Sequence, residues 1–144
     1  MRTHTEHLIK ICKMPMLGLP DARYETVCAY LDGYNIALAG APLVGFREWL
    51  IVHGNEWTNL PWWGLVRRAV LDDLDVLKQM TDAQNASVLS ALVDYLQRFY
   101  DFRERYGLSM VYHRYHRWLM ARTDEETAYL RERLVEEDNY GQGD

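Results

Sequence analysis

The sequence predicts an all-α fold, a single compact bundle of about six to seven helices interrupted by one irregular, Trp-rich loop. Three observations lead there. Apolar residues recur at three- and four-residue steps along most of the chain, whereas strict alternation over strand-like lengths is scarce. Proline and glycine fall mainly where those periodic stretches end. The 144 residues are 49% hydrophobic and include five Trp, ten Tyr and three Phe, enough apolar area for one core. With no internal repeat, low-complexity tract or Ser/Gly-rich linker, residues 1–138 read as one domain and 139–144 as a frayed tail.

The first helix is expected from Thr5 to Met14, with Leu8, Ile11 and Cys12 on one side. Pro15 ends it, since proline lacks an N–H and disfavours helical geometry in the residue before it. Pro15 to Leu19 then reads as a connector and Pro20-Asp21 as the next helix entry. Tyr24, Val27, Cys28, Leu31, Tyr34 and Leu38 carry that helix forward, and Gly33 within it predicts a close helix–helix contact. Gly40 and Pro42 stop it.

A shorter helix follows from Leu43 to His53, with Phe46, Trp49, Leu50 and His53 on one stripe. Residues 54–64 are the least regular part. Asn59 and Pro61 suggest a helix start, and Leu65, Val66, Ala69 and Val70 continue it. The clearest helix spans Gln84 to Tyr106, with Val88 or Leu89, Leu92, Val93, Leu96, Phe99 and Tyr100 on its apolar stripe and Gly107 at its end. Leu108 to Arg122 forms another, presenting Val111, Tyr115, Trp118 and Leu119. Thr123-Asp-Glu-Glu126 matches a capping box and opens a last helix from Asp124 to about Glu137.

Composition narrows the function classes. No apolar run approaches the ~20 residues that span a bilayer, and the mixed-charge N-terminus does not read as a secretory signal. Cys12 and Cys28 lack a CxxC partner and are expected as buried free thiols, which suits a reducing, cytoplasmic setting. The net charge of −5 disfavours broad binding to nucleic acid or anionic membrane. That charge is uneven: residues 98–122 carry a net +4 and residues 124–144 a net −6.

Motifs that carry chemistry are scarce. His113 and His116 share a helix face, as do His4 and His7, but neither pair has partners to complete a zinc site, and Arg114 and Arg117 would repel a cation. No metal and no cofactor is expected. The chain has no G-x-S-x-G elbow, no Walker-type loop and no G-x-G-x-x-G fingerprint. Asp72-Asp73 and Glu136-Glu137 are adjacent, so their carboxylates diverge on a helix. The sequence names no catalytic residue.

Three segments remain as candidate binding surfaces. Around the irregular loop, Trp57, Trp62 and Trp63 with Arg47, Glu48 and His53 read either as a plug at one end of the bundle or as a ligand pocket. In the pocket reading Arg47 meets an anionic group and His53 transfers protons near neutral pH. The Arg- and aromatic-rich stretch 98–122 could grip phosphates and stack on bases. The acidic end offers Glu125, Glu132, Glu136, Glu137 and Asp138 to a basic protein partner.

Tyr30-Leu-Asp-Gly-Tyr34, Gly45-Phe-Arg-Glu-Trp-Leu-Ile-Val52 and Gly107-Leu108 followed by Tyr115, Trp118 and Leu119 form a recurring order. Across about residues 10–120 this order resembles that of a group of small bacterial proteins with no assigned activity. The resemblance implies a bacterial, cytoplasmic protein and carries over no site residues. The leading expectation is a non-catalytic helical interaction module, immunity- or antitoxin-like, that binds a partner protein. A small-molecule-binding protein or enzyme at the Trp57–Trp63 loop comes second, and nucleic-acid binding through 98–122 third.

Overall fold

A computed structural model describes residues 1–72, 75 and 77–140, the last three as backbone. Among these residues there are seven α-helices and no strand: α1 (Arg2–Lys13), α2 (Tyr24–Ala37), α3 (Phe46–Gly54), α4 (Trp62–Leu71), α5 (Asp82–Tyr106), α6 (Leu108–Met120) and α7 (Ala128–Tyr140). Single 3-10 turns at Pro15–Leu17 and Glu125–Thr127 follow α1 and precede α7. No helix here is long and apolar enough to cross a membrane.

The bundle is built around α5, which packs against α1, α2, α3, α4 and α6. Its buried positions Val88, Leu92, Leu96, Phe99 and Tyr100 follow the apolar stripe in the sequence. Phe99 meets Phe46 of α3 at 5.1 Å between ring centroids, and Phe46 meets Trp62 of α4 at 5.9 Å. Burying side chains of this size contributes about 1.5–3 kcal/mol each. This aromatic chain joins α3, α4 and α5 into one core.

Several local starts and stops differ from expectation. Helix α2 begins at Tyr24 instead of Pro20-Asp21, because the Asp21 carboxylate turns back to accept from the Arg23 N–H at 3.0 Å. Asn85 of α5 accepts from the Tyr24 N–H and donates to the Ala22 carbonyl, both at 2.8 Å, tying the start of α2 to the central helix. The capping box lies at Thr81–Gln84, where side chain and backbone bond reciprocally at 3.0 and 3.1 Å. At the C-terminal end Asp124, one residue beyond Thr123, is the cap and accepts from the Thr127 N–H. Helix α7 runs to Tyr140, two residues into the stretch expected to fray, and 141–144 lie outside the described residues.

Glycines also sort differently. Gly33 is exposed, and a Cβ there would meet nothing within 4 Å, so it makes no close helix contact. Gly45 does. It stands at φ +85° where α3 begins, and a Cβ would lie 2.9 Å from Leu108 and 3.1 Å from Val111 of α6. Only glycine tolerates both that conformation and that approach. Gly45 therefore sets how closely α6 lies against α3.

Arg103 of α5 completes this corner. It donates to the carbonyls of Ala41, Pro42 and Val44 at 3.1–3.2 Å while lying over Phe99 and Tyr100. The turn between α2 and α3 would otherwise leave those acceptors without this shared cation.

Candidate functional site

The residues expected to form one pocket at the Trp-rich loop are distributed over several places. Arg47 donates through Nε to the Leu60 carbonyl at 2.9 Å and through Nη2 to the Thr58 carbonyl at 2.7 Å. Its guanidinium also lies 5.7 Å from the centre of the Trp57 ring. Arg47 and Trp57 are thus brought together, with the cation stapling the loop to α3. Trp62 is buried and donates its indole N–H to Asp32 of α2 at 2.9 Å. The neighbouring Trp63 lines a separate cleft with Cys28, Asp32 and Arg67, and its carbonyl accepts from the Tyr24 hydroxyl at 2.7 Å. Glu48 lies on the α6 side, where burial and its carboxylate raise the pKa of Tyr112. The loop is fixed by hydrogen bonds from Arg47, and only Trp62, at the start of α4, is buried among its three tryptophans.

His53 belongs to a different place. Its ring stacks on Trp49 at 5.1 Å with planes only 3° apart and meets Tyr95 edge-on at 5.6 Å. Burial and the nearby Arg98 lower its pKa below the usual imidazole value, against an opposing pull from Asp94. It opens on a cleft of about 520 Å³ between α3, α5 and α6, lined by Trp49, Val52 and His53, by Arg98 and Phe102, and by Val111 and Arg114. Arg114 lies over the Phe102 ring at 4.5 Å, and Arg98 over Trp49 at 5.7 Å. The same imidazole also borders a smaller cavity of about 280 Å³ toward α4, flanked by Glu56 and Arg68, an ion pair at 2.7 Å.

This grouping was hidden in the sequence. His53 follows Trp49 by four residues and Phe102 follows Arg98 by four, spacings that place each pair on one helix face. Nothing in the linear order joins the two faces, or adds Arg114. That takes the crossing of α3, α5 and α6, which Gly45 permits.

The third candidate is α7. It contacts α6, and none of its described side chains is fully buried. Arg131 turns inward, donating to the Thr127 hydroxyl at 2.5 Å and the Asp124 carbonyl at 2.8 Å. Arg122 pairs with Asp124 at 2.6 Å and covers Trp118, whose N–H donates to Asn55 at the end of α3. Glu125, Glu132, Glu136 and Glu137 are exposed, and none forms an ion pair among the described residues. The Asp138 side chain lies outside the described residues.

The two histidine pairs have different surroundings. His4 bonds to the Tyr34 hydroxyl at 2.8 Å and His7 to that of Tyr30 at 2.7 Å, joining α1 to α2. His113 and His116 are exposed on α6, and among the described residues no group of three His, Cys, Asp or Glu could hold a metal ion. Both cysteines are free and buried, and burial pushes the Cys12 thiol up to about 12. The chain matches no family model, and neither curated proteins nor solved structures yield a match to it.

Proposed function

We propose that this protein is a non-catalytic helical interaction module that binds a basic partner protein through the outer face of α7. One observation carries the reading. Within α7, Tyr129, Glu132 and Glu136 follow at steps of three and four, so a half-exposed tyrosine shares a face with two exposed carboxylates. Of the helix's two arginines, Arg131 is turned away into the Asp124–Thr127 cap, and exposed Arg133 forms no ion pair with those carboxylates among the described residues. An aromatic contact inside a charged rim is how protein interfaces commonly divide burial from steering.

The concrete form of the proposal is an immunity- or antitoxin-like protein that holds and blocks a cationic partner. The scarcity of catalytic groups in the sequence and the small size of the domain support it. Nucleic-acid binding through 98–122 has less support, since Arg103 and Arg122 of that segment are committed inside the fold.

Site-specific photo-crosslinking in cells of the source organism tests the surface. A crosslinker replacing Tyr129 is expected to give one discrete adduct with a basic protein, while one replacing exposed Ser87 on α5 gives none. Absence of an adduct at position 129, or the same adducts at both positions, would overturn the proposal.

A further inference from the structure

We infer that the α3–α5–α6 cleft is a binding site for a small phosphomonoester with a compact apolar body. The inference is independent of the α7 reading and rests on what the cleft walls offer. Arg98, Arg114 and His53 supply donors from three helices, and no carboxylate lines the cavity. Arg114 makes no hydrogen bond or ion pair among the described residues, and Arg98 makes one ion pair, to Asp94 at 3.3 Å. The Arg114 guanidinium carbon lies 4.5 Å from the centre of the Phe102 ring and that of Arg98 5.7 Å from the centre of the Trp49 ring. A ring face takes none of a guanidinium's five N–H donors as a conventional acceptor would, so these remain available to an oxyanion.

Phosphate suits these donors better than carboxylate. Two forked cations and an imidazole can share three terminal oxygens arranged in a tetrahedron, whereas a carboxylate presents two in a plane. The His53 ring is held by Trp49 and Tyr95, so its nitrogens are already positioned. A cavity of about 520 Å³ exceeds what the anion alone needs. Val52, Val111, Trp49 and Phe102 give the remainder an apolar wall, which favours an organic body on the ester. The chain's net charge of −5 opposes a long polyanion while leaving a single phosphate tolerable.

Titration of the ¹⁵N-labelled full chain with phenyl phosphate, followed by amide NMR shifts, tests this. Saturable one-to-one binding is expected at about 1 mM or tighter, with shifts centred on residues 49–53, 98–102 and 111–114, and none with phenol. Arg114→Gln and Arg98→Gln should each weaken binding about tenfold, while Arg117→Gln leaves it unchanged. A thermal melt of each variant establishes that it is folded. Three results would overturn the inference: no saturable shifts, equal affinity in the folded Arg98 and Arg114 variants, or Arg-dependent binding of a 12-nucleotide RNA far tighter than that of phenyl phosphate. The last would assign the cleft to nucleic acid.

Discussion

Single positions decide how closely these helices approach, and glycine shows the two extremes. At Gly45 the backbone is left-handed and two α6 side chains close over the missing Cβ. Gly45→Ala is therefore expected to lower the unfolding free energy by about 1–3 kcal/mol, read from denaturant melts. At Gly33, exposed within α2 and facing open space, alanine should instead stabilise by about 0.5–1 kcal/mol. The sequence places both residues near helical patterns and draws the opposite conclusion about Gly33. Which glycine meets a neighbour depends on where another helix crosses, and no local pattern records that. Cys12 makes the same point in its favour: its place on the apolar stripe of α1 already implied an inert, buried thiol. A thiol-specific reagent at pH 8 should label the folded chain far more slowly than the unfolded one. The folded thiol keeps its proton to about 12. An unfolded one loses it near about 8.5. Across that window the folded state binds more protons, so this group's contribution to stability is fully present below about 8.5 and falls as pH rises.

At the scale of elements, strong periodicity translated directly and polar signals did so less reliably. The stripe from Val88 to Tyr100 gave α5 its buried face, and Pro15 and Gly107 end helices where their backbone constraints require. Cap chemistry is ambiguous because Ser, Thr, Asp and Asn can also bond to their own loops. Asp21 does so with Arg23, which moves the start of α2, while Asp124 takes the capping role expected of Thr123. The elements also differ in how firmly they are held. Helix α5 is packed on several sides, whereas α7 has no fully buried side chain among those described. Native-state hydrogen exchange should show this, with amides of 128–137 exchanging at least about 100-fold faster than those of 88–100. Equal protection across the two would mean that α7 is part of the core.

Over the whole molecule, folding redistributes the charge that the sequence displays in blocks. The net +4 of residues 98–122 does not become one basic stripe. Arg103 serves backbone carbonyls, Arg122 pairs with Asp124, and Arg98 and Arg114 turn toward the cleft with His53. The exposed carboxylates of α7 form no ion pair among the described residues: Arg131 is used in the cap, and Arg133 is exposed beside them. Thus the acidic surface was legible as composition, while the cleft appeared only when three helices were brought together. The most direct test of α7 as the partner surface is affinity capture from the source organism with mass-spectrometric readout, using the wild type and a Glu132→Lys, Glu136→Lys, Glu137→Lys variant. All three positions are solvent-exposed, so the variant should melt within a few degrees of wild type. The account predicts one stoichiometric basic partner on the wild type and none on the folded variant. No stoichiometric partner, or equal recovery on both proteins, would contradict it.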